Sequence, residues 1–134
     1  MKNILKTVAF TLSVLIAFAL NADAQSNNSL PQGIVSATGN GNADKLASYF
    51  NENIELVMPQ KSGIFSKSQA QMILKEFFTN NPAASFKIIH QGSRQNASFA
   101  IGNYKSGGNI YRFYFLTKNT NNKLLIHQLR IEKQ

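Results

Sequence analysis

The sequence predicts an α+β fold, with helices gathered in the N-terminal half and an antiparallel meander after them. Two observations carry the prediction. The stretch after Ser66 repeats apolar residues at helical spacing, and everything beyond Pro82 runs in short, strand-like segments broken by turns rich in Gly and Asn. A third is the opening "MKNILKTVAFTLSVLIAFALNADAQ", which sets the first residues apart from the folding unit.

In that opening, Lys2 and Lys6 form a positive start, Thr7 to Leu20 an apolar run, and Ala22-Asp23-Ala24 a small-residue cleavage site. The pattern is that of a secretory signal peptide, residues 1–24, cleaved after Ala24. The run is shorter than the ~20 apolar residues a membrane-spanning helix needs, so no transmembrane segment is expected after its removal. Residues 25–29 read as a polar, disordered leader and residues 30–134 as a single domain. The product is expected to be secreted or periplasmic. With no cysteine in the chain, disulfides, a lipoprotein anchor, thiolate metal sites and Cys nucleophiles are excluded.

The elements follow in order. "LPQGIVSAT" spaces Ile34, Val35 and Ala37 as a helix, and "GNGN" interrupts it. Asn42 caps a second helix, "ADKLASYF", with Leu46, Ala47, Tyr49 and Phe50 on its apolar side. "NIELVMP" alternates Ile54, Leu56 and Met58 against Glu55 and Val57, and Pro59 ends the strand. After a loop containing Gly63, "SKSQ" makes a capping box with Ser66 at the cap and Gln69 three residues on. Ala70, Ile73, Leu74, Phe77 and Phe78 stripe that helix to about Thr79, leaving Lys67, Gln71, Lys75 and Glu76 toward water. Four strands follow: "SFKIIHQ", "ASFAIGNY", "NIYRFYFLTKN" and "LLIHQLRIE". "KSGGN" and "NTNNK" are the turns between the later ones.

Alternation assigns the faces. Tyr111, Phe113 and Phe115 form a wholly aromatic set, expected to look toward the helices. Phe86, Ile88 and His90, Phe99 and Ile101, and Leu125, His127, Leu129 and Ile131 are expected to continue it. The pocket-lining set is therefore Phe86, His90, Phe99, Tyr111, Phe113 and His127. On the far side, Arg112, Tyr114, Leu116, Ile126 and Arg130 make a mixed apolar and basic surface expected to pair two copies into a homodimer.

Chemistry is sparse. Asp44, Glu52, Glu55, Glu76 and Glu132 all read as pointing away from the interior, so a carboxylate base is missing there. If the chain is an enzyme, His127 is the proton acceptor and Tyr111 the group that polarises a carbonyl. His90 and His127 without a third ligand make no metal site. "GNGNAD" lacks the preceding strand of a dinucleotide-binding turn, and no cofactor is expected. Without the signal, twelve Lys and Arg face five Asp and Glu, a net charge of +7. The cations are scattered and no nucleic-acid motif is present, so nucleic acid is not an expected partner.

The segment "GNGNADKLASYFNENIELVMP", together with "SGIFSKSQAQMILKEFF" and the four-strand meander, resembles the nuclear transport factor 2-like (cystatin-like cone) superfamily. More narrowly it is similar to a family of secreted bacterial domains of unknown function within it. The resemblance covers residues 30 to 133. It implies a cone in which a curved antiparallel sheet wraps N-terminal helices around a pocket, often paired through the convex face. Some relatives, ketosteroid isomerase and polyketide cyclases among them, are enzymes, and many only bind. The expectation is an exported, non-enzymatic binding module with an aromatic-lined pocket for a small apolar ligand. The alternatives are a His-dependent isomerase or lyase, and a peripheral binder of anionic lipid or lipopolysaccharide.

Overall fold

A computed structural model describes residues 30–134; the expected signal peptide and leader lie outside the described residues. Three helices, α1 (Gln32–Gly39), α2 (Ala43–Ala47) and α3 (Lys67–Asn80), pack inside a curved sheet of six strands. These are β1 (Phe50–Val57), β2 (Ser62–Ser66), β3 (Ser85–Arg94), β4 (Ala97–Ser106), β5 (Asn109–Thr120) and β6 (Lys123–Lys133). Their spatial order is β2-β1-β6-β5-β4-β3. Every junction is antiparallel except β1–β6, which is parallel, so the sheet is mixed rather than purely antiparallel.

Local chemistry fixes the helix ends. The Asn42 side chain accepts the Lys45 amide of α2. Ser66 and Gln69 close the full capping box of α3, satisfying amide groups that the first turn leaves without partners. α2 stops earlier than its apolar spacing suggests. The Tyr49 carbonyl accepts the Ile126 amide of β6 at 2.7 Å, so Phe50 begins a strand instead of ending a helix. β2 was not expected either. It is a five-residue edge strand, paired only to β1, whose sequence "SGIFS" carries no alternation of apolar and polar residues.

Inside the cone, Ile34, Leu46 and Leu74 of the helices meet Ile54, Leu56, Phe113, Phe115, Leu129 and Ile131 of the sheet, all essentially inaccessible to water. The aromatic set of β5 faces this core, as its alternation requires. Its neighbours depart from the expected faces in three places. In β4, register pairs Ala100 with Phe115, Gly102 with Phe113 and Tyr104 with Tyr111. The even-numbered residues therefore point inward, while Phe99 is 42% exposed. Small residues are needed there: a Cβ on Gly102 would sit 2.4 Å from carbons of the Phe86 ring.

The other two departures are β-bulges, each inserting one residue and reversing the alternation beyond it. In β3 the register slips between Ile88 and His90, which sends His90 to the outer face with Ile101. In β6 Thr117 pairs with Ile126 but Leu116 with Gln128. Ile126 is thereby turned into the core, at 0% exposure, rather than lying on the outer surface. His127 turns the other way, toward Thr120 on the outer face.

Candidate functional site

The space between helices and sheet is filled by the chain's own rings. Phe77 and Phe78 of α3 project into the cone. Phe77 meets Tyr111 edge-on with centroids 5.1 Å apart, and Tyr104 stacks on Phe113 at 5.1 Å. Phe86 closes against Phe113 at 5.8 Å. Such offset and T-shaped contacts each add stabilisation of about 0.5–1.5 kcal/mol beyond simple burial. Of the expected pocket residues, Phe86, Tyr111 and Phe113 are brought together here, as packed core. His90 and Phe99 meet on the outer face at 5.4 Å.

Two tyrosine hydroxyls need partners in this apolar interior, and Asn81 supplies both. Its backbone carbonyl accepts from Tyr104, and its side-chain Oδ1 accepts from Tyr111 at 2.8 Å. Its Nδ2 donates to the Phe77 carbonyl at 3.0 Å, terminating α3. Burial, with Tyr111 as a smaller second cause, pushes the Tyr104 phenol up to about 12. Burial first, then the Lys118 ammonium, pulls the His127 imidazole below its ordinary 6.5.

His127 and Tyr111 therefore stand on opposite faces of the sheet and cannot act on one substrate. The expected acid–base pair is not assembled. Acidic groups stay off the interior. Asp44 accepts from Gln71 at 2.6 Å, Glu55 from Gln128 at 3.1 Å, and Glu132 pairs with Arg130 at 3.3 Å. Among the described residues no group of three His, Asp or Glu side chains is placed to hold a metal ion.

A cleft of about 530 Å³ opens instead at the mouth of the cone, within the range of small-molecule sites. Met58, Pro59, Gln60 and Lys61 of the β1–β2 turn form one wall. Ile73, Glu76, Phe77 and Asn80 of α3, with Asn81, form the other, and Tyr111 and Lys133 close the back. Tyr111 is the one residue of the expected pocket set that reaches this cleft. Lys61, Glu76, Asn81 and Lys133 were not anticipated. Ile73, Glu76, Phe77 and Asn80 share an i, i+3, i+4, i+7 spacing, so the helical period does place Glu76 beside the apolar stripe. The two lysines come from a turn and a strand end far apart in sequence.

Of the expected outer-surface set, Arg112, Tyr114 and Leu116 lie half-buried on the outer face, and Arg130 is exposed there. Phe99, Ile101 and Ile110 extend their apolar area. No helix of the described residues is long and apolar enough to cross a membrane.

Comparison with known proteins gives a consistent placement. The model of the family described as "Domain of unknown function (DUF4783)" matches residues 31–132. A DUF4783 family protein from Bacteroides ovatus, solved by crystallography, is 32% identical; the match covers 81% of this chain and 98% of that one, with a TM-score of 0.76. An NTF2-like protein of unknown function from Shewanella baltica is 12% identical over 77% of this chain and 86% of its own, at a TM-score of 0.59. A bacterial protein with a cystatin-like fold from Silicibacter pomeroyi is 10% identical over 82% and 77%, at 0.61. The cone is thus an NTF2-like fold. No curated protein matches the chain.

Proposed function

We propose, on the premise that this chain belongs to the DUF4783 family of domains of unknown function, that it is an exported, non-enzymatic binding domain taking a small amphipathic molecule at the mouth of its cone. The observation that carries this reading is the contrast between a solid aromatic interior and an open cleft with an apolar floor and a polar rim. Met58, Ile73 and the edge of Phe77 offer apolar contact, while Lys61, Asn80 and Lys133 offer polar groups. Glu76 is the carboxylate lining the cleft; the separation of His127 from Tyr111 supports binding over proton transfer. Export rests on the signal-like residues 1–24.

Pairing of two copies through the outer face belongs to the same reading. It is supported by the apolar surface of Phe99, Ile101, Ile110, Tyr114 and Leu116. In sedimentation velocity, Tyr114→Glu is expected to convert a dimer to a monomer; a parent that sediments as a monomer ends that part of the proposal.

The cleft is tested by titrating the protein with 8-anilinonaphthalene-1-sulfonate, an amphipathic anion whose fluorescence rises on leaving water. Asn80→Phe narrows the cleft from an exposed position and is expected to weaken binding about tenfold or more, a loss of roughly 1.4 kcal/mol. Met72→Phe, on the exposed side of α3 outside the cleft, is expected to leave it unchanged. Equal loss in both variants, or no binding by the parent, overturns the proposal.

A further inference from the structure

We propose that the ligand of this cleft is a zwitterion with an apolar body, an amino acid or short peptide carrying a free ammonium and a free carboxylate. The inference rests on the reading of the cleft as a ligand site and specifies what it takes. The lining carries both signs of charge. The β1–β2 turn and the end of β6 bring Lys61 and Lys133, while α3 brings Glu76.

Glu76 is not alone on its wall. Asn80 and Asn81 mark the C-terminal end of α3, where the aligned peptide dipoles give the helix a partial negative charge. The last turn of α3 holds no basic side chain to offset it. Among the described residues the only ion pair is Arg130–Glu132, so Lys61, Lys133 and Glu76 line the cleft without pairing with one another. Lys61 leans over the Phe65 ring at 5.9 Å instead.

A purely anionic ligand would satisfy the lysines but leave Glu76 and the helix end unmatched; a purely cationic one would leave the lysines unmatched. A molecule whose ammonium approaches Glu76 and whose carboxylate approaches Lys61 and Lys133 satisfies both walls. Met58, Ile73 and Phe77 then cover its apolar part. A volume of about 530 Å³ accommodates more than a single small side chain, which favours a body of dipeptide size.

Calorimetric titration with Leu-Leu, N-acetyl-Leu-Leu and Leu-Leu amide tests the inference, because each capped form removes one charge. Leu-Leu is expected to bind about two- to fivefold more tightly than either capped form, the scale of one solvent-open ion pair. Glu76→Gln is expected to erase the advantage over N-acetyl-Leu-Leu while leaving the binding of that probe no weaker. The double variant Lys61→Gln/Lys133→Gln is expected to erase the advantage over Leu-Leu amide. All three positions are exposed, so folding is preserved. Equal binding of the three peptides overturns the zwitterion. Failure of all three while the naphthalenesulfonate still binds overturns it too and leaves the cleft standing. Failure of both probes removes the ligand site itself.

Discussion

Asn81 is the residue whose removal tests the architecture most directly. Its side chain makes two hydrogen bonds, from Tyr111 at 2.8 Å and to the Phe77 carbonyl at 3.0 Å. It thereby ties the end of α3 to the start of β5. A neutral intramolecular hydrogen bond contributes a net ~1 kcal/mol, so Asn81→Ala is expected to cost about 2 kcal/mol. The bond from Tyr104 to the Asn81 backbone carbonyl is kept. Tyr111→Phe deletes one of the two side-chain bonds and should cost about 1 kcal/mol. Because both substitutions remove the same Tyr111–Asn81 bond, the double variant should cost roughly 2 kcal/mol rather than 3, a coupling of about 1 kcal/mol. Urea denaturation followed by far-ultraviolet circular dichroism measures all three, and in thermal denaturation each kcal/mol should appear as a fall in Tm of about 4–8 °C. Costs that add to within about 0.3 kcal/mol would refute the idea that this bond joins helix to sheet.

Three further outcomes are expected. With the Tyr104 phenol held up to about 12 against 10.0 in the unfolded chain, its contribution is intact below pH 10 and drains away as pH rises toward 12. The loss is on the order of 2 kcal/mol, and Tyr104→Phe should flatten this alkaline limb in denaturation curves. For His127 the sign is opposite. Its folded pKa lies below 6.5, so stability is full above pH 6.5 and falls on acidification as the unfolded chain takes up the proton first. His127→Gln should remove that slope, and Lys118→Gln should raise the imidazole pKa read by NMR. Gly102→Val drives a side chain into the Phe86 ring and toward the Lys87 carbonyl, 3.1 Å from the nearest Cβ position. A cost of about 1–3 kcal/mol in thermal denaturation is expected; an unchanged Tm would show that Phe86 does not occupy that space.

The sequence announced its helices through chemistry that acts within a few residues. The Asn42 cap, the Ser66 and Gln69 box and the stripe of α3 are all local, and all are in place. So is the aromatic inner face of β5, because seven consecutive residues with four rings leave little choice of side. The failures share a different origin. Nothing in "KIIHQ" or "LLIHQL" marks an inserted residue, since neither bulge sits on a glycine. Register is decided by the neighbouring strand, so the inward placement of His90 and His127 and the outward placement of Ile126 failed together. In β4 the bulkier residues were assigned inward, whereas the core needed Ala100 and Gly102 to admit rings from both sides. The cleft was hidden because its walls are drawn from a turn, a helix end and two strand ends that meet only in three dimensions.

The parallel junction of β1 with β6 also sets how far apart in the chain the two halves of the sheet lie. Glu55 and Gln128, which touch across it, are 73 residues apart along the chain, and among the described strands β6 alone joins the β2–β1 pair to the β5–β4–β3 meander. A nascent polypeptide lacking β6 holds two sheet fragments with no seam between them. Closing the sheet therefore depends on one contact between distant parts of the chain, and such non-local pairing is slow to form.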